Sequence, residues 1–163
     1  MRVGLISDIH VSKPGKTPLY TLKRAFGEID LLLSAGDHIA VSVLEELETI
    51  APLKAVMGNC DTYNNPEELP HKRVLKIKGH RIGLIHGWGD THENNKNVLS
   101  SFRNDNVEAI VYGHTHIPSI TEYEGVLIIN PGSPTFPRGG SSKSVGVMSV
   151  EKDIPLNVHI VKI

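Results

Sequence analysis

The sequence predicts an α/β fold with a partly parallel sheet in its first half and a succession of strands at its end. In the first half, short apolar runs alternate with segments whose apolar residues recur every three or four positions, which is typical of βαβ units. Beyond residue 112 the apolar runs are short, and turn-forming Gly, Pro, Asn and Asp separate them. This second pattern favours strands joined by turns.

The first half contains three predicted strands and two predicted helices. The apolar residues of the second helix show its periodicity, because Val43, Leu47 and Ile50 recur at helical spacing. The strands connected by these helices are expected to run parallel. In chain order, the five elements cover residues 2–7, 19–26, 31–35, 41–50 and 54–57.

The second half begins with a predicted hairpin over 74–77 and 82–85, for which Gly79-His80 is the expected two-residue turn. One further helix is expected over 95–102. The Pro- and Gly-rich loop 131–144 is long, and long ordered loops in compact domains are usually functional. The remaining predicted strands cover residues 109–112, 120–123, 126–129, 145–150 and 156–161.

Length and composition limit the function classes. A chain of 163 residues suits a single domain over 1–163. Its 17 Lys and Arg nearly balance its 18 Asp and Glu. The resulting net charge of −1 does not favour a protein that binds extended nucleic acid or anionic membranes. The single cysteine, Cys60, fits a reducing compartment, and no long apolar leader or membrane-length apolar stretch is present. We therefore expect a cytoplasmic protein.

Side chains of the types that bind metals follow five of the predicted strands. His114 and His116 lie two residues apart directly beyond the apolar run 109–112. In open α/β sheets the ligand site lies at the carboxyl ends of the strands, and every candidate has this placement. The set exceeds what one four-coordinate ion uses, so it predicts two ions, and its mixed donors suit Mn, Fe or Zn. The candidates are Asp8, His10, Asp37, Asn59, His86, His114 and His116.

These residues belong to ordered motifs that resemble those of the calcineurin-like metallophosphoesterase superfamily. The small size, the Gly-Asn-Cys-Asp form and the segment 130–133 followed by Pro137-Arg138 are similar to its compact bacterial and archaeal phosphodiesterase branch. The resemblance implies a four-layer αββα sandwich, in which two mixed β-sheets are flanked by helices. The motifs are Asp8-Ile9-His10, Gly36-Asp37, Gly58-Asn59-Cys60-Asp61, His86-Gly87 and Gly113-His114-Thr115-His116.

The resemblance also implies a dinuclear metal site. Two divalent ions carry more positive charge than two carboxylates neutralise, so the site would attract anions, and a hydroxide between the ions would attack phosphorus. We expect a phosphodiesterase that hydrolyses a small phosphate ester with two divalent ions, Mn²⁺ first and Fe, Zn, Ni or Mg as alternatives. The implied ligands are Asp8, His10 and His116 for one ion, Asn59, His86 and His114 for the other, and Asp37 for both.

The candidate catalytic residues are Asp37, Asn59, Cys60 and Asp61. Many relatives carry a histidine at the position of Cys60, where it is thought to protonate the leaving group. A thiol with an ordinary pKa of about 8.5 is a poorer donor at neutral pH. We therefore expect a preference for esters with good leaving groups, or a proton donor from elsewhere. Taken singly, an aspartate such as Asp61 also suits a helix cap or a turn.

Residues outside the motifs have two interpretations each. Ser133 and Arg138 are candidate substrate-binding residues, because Arg suits bidentate recognition of phosphoryl oxygens, but a turn with an exposed Arg explains them equally well. Trp88 could form a pocket wall, although packing in the core or at a sheet edge is the favoured interpretation. His38 adjoins Asp37, and a structural or solvated role is favoured for it.

The alternative function is a catalytically idle protein-interaction scaffold, since the superfamily also resembles a retromer subunit that uses this fold to bind other proteins. The complete set of ligand types favours the enzyme. A processive nuclease would need a basic groove, which neither net charge nor chain length suggests. We expect a small phosphate-ester substrate and neither extended nucleic acid nor a membrane as partner, and the sequence leaves a homo-oligomer open.

Overall fold

A computed structural model describes residues 1–61, 69–90 and 93–163. Within these ranges the chain forms ten strands and three helices, and the strands build two five-stranded sheets. In chain order the elements are β1 (Arg2–Ile6), α1 (Leu19–Phe26), β2 (Leu31–Ser34), α2 (Val41–Glu48), β3 (Leu53–Ala55), β4 (Lys72–Ile77), β5 (His80–Ile85), α3 (Asn94–Ser101), β6 (Ala109–Val111), β7 (Ser119–Tyr123), β8 (Val126–Asn130), β9 (Ser144–Ser149) and β10 (Asn157–Lys162).

Both sheets are mixed. The first has the strand order β10-β9-β1-β2-β3, in which β1, β2 and β3 are parallel and the other two pairings are antiparallel. The second has the order β4-β5-β6-β8-β7, in which β5, β6 and β8 are parallel and the edge strands are antiparallel to their neighbours. Because parallel strands end at the same edge of a sheet, the loops that follow them lie close together.

The two sheets pack face to face through alternate residues of their central strands. Val3 and Leu5 of β1 belong to one apolar cluster with Leu84 of β5 and Val111 of β6, and all four side chains are fully buried. Successive side chains of a strand point to opposite faces, so Ile6 of β1 lies in a different cluster on the outer face.

Helices cover the outer face of each sheet. Phe26 of α1 and Leu47 of α2 pack against the first sheet, while Val98 of α3 and Phe102, which follows that helix, pack against the second. Leu22 and Phe26 are four residues apart, which is the spacing that places both on one face of α1. The predicted four-layer αββα sandwich of two mixed sheets flanked by helices is confirmed.

All predicted helices and strands are present, and their ends lie within two residues of the expected positions. The predicted hairpin turn is wrong by one residue: Lys78 and Gly79 form the turn, with φ angles of 51° and 103°, and β5 begins at His80. The His80 ring contacts the carboxylate of Glu108 and the backbone carbonyl of Glu151, each at 2.8 Å. These long-range contacts keep His80 in the strand.

None of the helices in the described parts of the chain is long and apolar enough to cross a membrane.

The Pro- and Gly-rich loop begins inside the protein. Its segment 131–134 is buried, and the Ser144 hydroxyl donates to the Pro131 carbonyl at 2.8 Å. The beginning of this loop is therefore packed against the sheets.

Candidate metal centre

The loops that follow five strands meet at one edge of the sandwich. Backbone hydrogen bonds tie the first two loops together, because the Asp8 N–H donates to the Gly36 carbonyl at 3.0 Å and the His10 N–H to the Asp37 carbonyl at 2.9 Å. The structure brings all seven sequence-predicted ligands to this edge: Asp8 and His10 after β1, Asp37 after β2, Asn59 after β3, His86 after β5, and His114 and His116 after β6.

Five of these residues hold a left-handed backbone conformation. This conformation costs a non-glycine residue on the order of 1–2 kcal/mol, so it persists only where the surroundings fix it. Backbone strain of this kind clusters at functional sites. The five residues, with φ angles between 48° and 69°, are Asp8, His10, Asp37, His114 and His116.

Asp8, His10 and His116 form the first cluster of potential ligands. His116 Nε2 lies 3.3 Å from Asp8 Oδ1 and 3.2 Å from His10 Nε2. Asp8 is fully buried, its Oδ1 accepts the His114 N–H at 3.1 Å, and its Oδ2 accepts the Ser7 hydroxyl at 2.7 Å. These hydrogen bonds hold the carboxylate toward the imidazoles.

Asp37 connects this cluster to the second one. Its Oδ2 lies 3.3 Å from His10 Nε2 and 3.4 Å from His86 Nε2, while its Oδ1 accepts the Cys60 N–H at 2.8 Å. Gly58 permits this approach, because a Cβ at that position would lie 2.1 Å from Asp37 Oδ1. One oxygen of Asp37 therefore faces imidazoles from both sheets.

The second cluster is built around the side-chain oxygen of Asn59. Asn59 Oδ1 lies 3.0 Å from His86 Nε2 and 3.1 Å from His114 Nδ1. The His86 and His114 rings meet edge to face, with centroids 5.5 Å apart. An amide oxygen and two imidazole nitrogens thus converge beside Asp37.

Backbone carbonyls orient two of the imidazoles. His86 Nδ1 lies 2.7 Å from the Ala35 carbonyl and His116 Nδ1 lies 2.5 Å from the Phe136 carbonyl. A carbonyl only accepts, so each Nδ1 carries a hydrogen, which leaves Nε2 of each ring directed toward the site. This is the arrangement that supporting hydrogen bonds give to metal-binding histidines.

The charges of the site shift several pKa values. Burial would raise the pKa of Asp37, but its hydrogen bond with His86, the charge of that ring and the Cys60 N–H outweigh burial and lower the pKa to about 2. Burial lowers the pKa of His10 and of His114. Burial would also lower the pKa of His86, but the hydrogen bond to Asp37 and the charges of Asp8 and Asp37 raise it. The carboxylates of Asp8 and Asp37 thus favour positive charge at the His86 ring.

The donors at this edge fit divalent metal ions. Asp8, His10 and His116 place one ligand atom each within 4.8 Å of one another, and so do Asp8, Asp37 and His86. The Nε2 atoms of His10 and His116 face each other at 3.2 Å, a separation that suits a hydrogen bond between the rings and also two ligands of one ion. Imidazole, carboxylate and amide oxygen together suit Mn, Fe or Zn.

Asp61 holds the backbone around Asp37. The residue is 3% exposed, and its carboxylate accepts backbone N–H groups of Asp37, His38, Ile39 and Gly58 at 2.7 to 2.9 Å. Burial would raise the pKa of Asp61, but hydrogen bonds from the His38 ring and the backbone lower it well below its usual range. Asp61 thus fixes the backbone that carries Asp37.

The His38 ring, also buried, bridges the Asp61 carboxylate and the Ser34 hydroxyl. These contacts fit the structural role that the sequence favours for His38.

Cys60 lies at the rim beside Asn59 and Asp37. The Asn59 amide nitrogen donates to Cys60 Sγ at 3.3 Å. Burial and the neighbouring carboxylate of Asp37 raise the pKa of Cys60 to about 11. The side chain is therefore a neutral thiol near pH 7 and a weak acid.

The two candidate substrate-binding residues differ in placement. Ser133 is fully buried, and its hydroxyl donates to the Asp8 carbonyl at 2.7 Å; it supports the Asp8 turn from within. Arg138 is exposed, and its N–H donates to the His116 carbonyl at 3.4 Å, so its backbone adjoins a site residue. Direct contact of either side chain with a substrate stays a prediction.

An exposed indole, an exposed phenyl ring and two lysines also lie beside the site, and none of them belongs to the sequence motifs. Trp88 is 48% exposed, so it does not pack in the core, and packing at a sheet edge, the other part of the favoured interpretation, stays a prediction. Phe136 is 54% exposed and meets the His10 ring edge to face at 5.9 Å. Lys13 and Lys16 border a recess next to His10. The only sequence signal for Trp88 is its position two residues after His86.

Comparison with known proteins shows similarity to phosphoesterases along most of the chain. A sequence profile of the calcineurin-like phosphoesterase superfamily domain matches residues 1–153. A "Probable metallophosphoesterase" of Methanothermobacter thermautotrophicus is 38% identical over 142 residues, which cover 85% of this chain and 80% of that protein. Phosphodiesterase YfcE of Escherichia coli is 30% identical over 168 residues, with 91% and 87% covered. The solved structure of Vps29 from Entamoeba histolytica complexed with Zn²⁺ matches with a TM-score of 0.74 at 25% identity and covers 99% of both chains.

Proposed function

Because this chain belongs to the calcineurin-like phosphoesterase superfamily, we propose that it is a phosphodiesterase that hydrolyses a small phosphate ester with two divalent metal ions. One observation carries the proposal: Asp37 Oδ2 lies 3.3 Å from His10 Nε2 and 3.4 Å from His86 Nε2. A carboxylate oxygen between two ligand clusters is placed as a bridging ligand would be.

The residues divide between the two ions in the way their contacts suggest. When bound, such a pair of ions supplies Lewis acidity and a water molecule of lowered pKa. The chain itself supplies prearranged donors, because hydrogen bonds to Ala35, Phe136 and Cys60 orient them. The proposed ligands are Asp8, His10 and His116 for one ion, Asn59, His86 and His114 for the other, and Asp37 for both.

Charge balance explains the selection of phosphate esters. The proposed ligand set contains only two carboxylates, Asp8 and Asp37, and the other ligands are neutral imidazoles and an amide. Two divalent ions in this set leave excess positive charge, which binds an anionic ester and stabilises charge that develops on its oxygens. Asp61, whose carboxylate accepts four backbone N–H groups, is proposed to act by maintaining the position of Asp37.

Cys60 limits the acid chemistry of the site. A group that donates a proton efficiently near neutral pH has a pKa near that pH, whereas in the chain without metal, burial and the Asp37 carboxylate raise the pKa of Cys60 to about 11. We therefore propose that the enzyme acts best on esters whose leaving group departs without a proton donor. Cys60 then contributes its backbone N–H to Asp37 and a neutral thiol to the rim.

The finer assignments are also proposals. The mixed donors favour Mn²⁺ as the working ion, with Fe, Zn, Ni or Mg as alternatives. The single cysteine suits the cytoplasm. Residues 1–163 are proposed to act as one catalytic domain on a small ester, without extended nucleic acid.

A protein-interaction scaffold is the second candidate, and the likeness to Vps29 is the observation that favours it. Relatives named metallophosphoesterase and phosphodiesterase are 38% and 30% identical to this chain, against 25% for Vps29. The enzyme is therefore the better supported of the two functions.

The test is hydrolysis of bis(p-nitrophenyl) phosphate by protein stripped of metal and reloaded with Mn²⁺, beside the monoester p-nitrophenyl phosphate. Asp37→Asn should lower kcat/KM for the diester by about 100-fold or more, because a ligand shared by both ions is weakened. Asp153→Asn is the matched control, since Asp153 has nearly the same φ, 60° against 59°, in an exposed turn.

The outcomes separate the two functions. Diester cleavage that requires Mn²⁺, falls in Asp37→Asn and persists in Asp153→Asn supports the phosphodiesterase. Absence of hydrolysis with every divalent ion tested would favour the scaffold.

A further inference from the structure

An apolar pocket opens directly beside the second ligand cluster. It has a volume of about 440 Å³, and Asn59 and His86 form one of its walls. The rest of the lining comes chiefly from Met57, Ile85 and Trp88, with His71 at the border. We call it the Trp88 pocket. Because it shares two side chains with the metal centre, a substituent of an ester bound at that centre is within reach of the pocket.

The lining of the Trp88 pocket indicates an uncharged occupant. No Asp, Glu, Lys or Arg is among the described residues that line it. A charged group would lose hydration there, and no carboxylate, lysine or arginine among these described residues would compensate for that loss. A volume of this size lies within the range of small-molecule sites, which are mostly apolar with a few polar groups.

The opposite flank of the metal centre has a different character. There Lys13 and Lys16 line a recess of about 310 Å³ together with His10 and Phe136. Two lysines favour an anionic group on that side. An uncharged part of a substrate is therefore better placed on the Trp88 side.

The indole of Trp88 is presented for contact. The side chain is 48% exposed, and within the described residues it makes no ring contact with another aromatic or cationic group. Its backbone is held in place, because Asn97 Nδ2 of α3 donates to the Trp88 carbonyl at 3.2 Å. A large aromatic surface on an anchored turn gains most from a flat partner, since stacked rings add to the effect of buried area.

We infer that the Trp88 pocket binds a planar aromatic group carried by the phosphate ester and stacks it on the indole. The inference rests on the proposed function, because the phosphoryl group is taken to lie at the metal centre. It deepens that function by defining the substrate class as phosphate esters with an uncharged aromatic substituent.

Trp88 is the only tryptophan of the chain, so its fluorescence reports on this pocket alone. The probes are phenylphosphonate and methylphosphonate, which present the same anionic group and differ in the ring. In Mn²⁺-loaded protein, phenylphosphonate should change the tryptophan emission in a saturable way and bind about tenfold more tightly than methylphosphonate. Methylphosphonate should leave the emission close to that of the metal-loaded protein.

Calorimetric Kd values for variants identify the residue responsible. Trp88→Ala should reduce the preference for the phenyl probe to about twofold or less, while Trp88→Phe keeps most of it. Tyr123→Ala, which removes an exposed aromatic ring of β7 beside the Glu124-Gly125 turn, is the matched control and should keep the full preference.

Three results would overturn the inference: equal affinities of the two probes, binding of neither probe, or an undiminished preference in Trp88→Ala. Its failure is distinct from that of the proposed function. Diester hydrolysis without a preference for the phenyl probe would support the phosphodiesterase and contradict the aromatic site. A Trp88-dependent preference for the phenyl probe in a protein without hydrolytic activity would support the aromatic site and contradict the phosphodiesterase.

Discussion

The two ends of the sandwich use the same backbone conformation in different surroundings. At the metal-centre edge, left-handed Asp8 and Asp37 are 0% and 2% exposed. At the opposite end, left-handed Lys78, Glu124 and Asp153 lie in exposed turns. The turns need this conformation only to reverse the chain, as the Lys78-Gly79 hairpin does. Left-handed residues therefore point to function where they are buried and their side chains converge.

Cavity size does not distinguish the two ends. The turn end contains the larger cavity, about 660 Å³, against about 440 Å³ for the Trp88 pocket. Its border carries charges of both signs, from Lys78, Glu122 and Asp153. Among the described residues, all groups of three converging metal-ligand side chains lie at the other end. The convergence of donors, more than open volume, identifies the candidate site.

Glycine substitutions at the two ends should differ most in activity. Gly58→Ala places a Cβ 2.1 Å from Asp37 Oδ1 and 2.4 Å from the Asp37 nitrogen, so the shared carboxylate must move. We expect kcat/KM for bis(p-nitrophenyl) phosphate to fall about 100-fold or more. Gly125→Ala meets open space at a φ of 76° and should cost about 1 kcal/mol of stability with activity retained. Equal activity losses would remove the distinction between the ends.

Buried and exposed carboxylates should differ in their contribution to stability. Asp61→Ala leaves four backbone N–H groups without their acceptor, so the free energy of unfolding should fall by about 3 kcal/mol. Glu108→Ala removes a half-exposed partner of His80 and should cost about 0.5 kcal/mol. Urea denaturation of both variants measures the difference. Similar losses would mean that Asp61 does not hold the Asp37 loop in the way its contacts indicate.

A better acid at the rim should widen the substrate range. Cys60→His replaces a thiol with a pKa of about 11 by a group that titrates near neutrality. We expect kcat to rise about tenfold or more for aryl esters with poor leaving groups and to change little for those with good ones. The measurement is the dependence of kcat on leaving-group pKa, with Cys60→Ser as control. An unchanged dependence in Cys60→His would contradict the proposed role.

The smallest expected effect lies at the turn end and depends on pH. The hydrogen bonds to Glu108 and to the Glu151 carbonyl raise the pKa of His80 above its usual 6.5. The folded state therefore binds this proton more tightly, and the resulting stability is full below pH 6.5 and is lost as pH rises through the folded-state pKa. His80 in turn lowers the pKa of Glu108 from its usual 4.5, so that contribution is lost in acid.

Unfolding free energies of the wild type and His80→Gln, at about pH 5.5 and about pH 8.5, test this linkage. The variant should lose more stability at the lower pH, and the difference should shrink in a Glu108→Gln background. A larger loss at the higher pH would contradict the sign. Diester hydrolysis by His80→Gln should stay near the wild-type rate, because His80 is remote from the metal centre.

The helices and strands, and the proximity of the seven candidate ligands, could be predicted from the sequence for a physical reason. Apolar runs set the strands, and a polar residue directly after a parallel strand lies at the carboxyl edge whatever the details of packing. Asp8 and His114 are in this position, so their proximity follows from topology. The helix pattern around Leu47 is equally local.

Features that depend on distant contacts were harder to predict. The hairpin turn was placed one residue late, because the contact of His80 with the Glu151 carbonyl joins residues 71 apart in sequence. The exposure of Trp88 depends on where β3 and β5 leave room beside Asn59. The hydrogen bonds of the Asp61 carboxylate form only because the loop after β3 meets the loop after β2, which carries Asp37. No local pattern encodes such contacts.

The most direct test of the account is the number of Mn²⁺ ions bound per chain at saturation, measured by equilibrium dialysis beside diester hydrolysis. The two ligand clusters joined by Asp37 predict two ions in the wild type, with activity that rises as the second ion binds. Fewer than two in Asp37→Asn, and two in Asp153→Asn, would agree with a shared carboxylate. One ion or none in the wild type at full activity would contradict the dinuclear site.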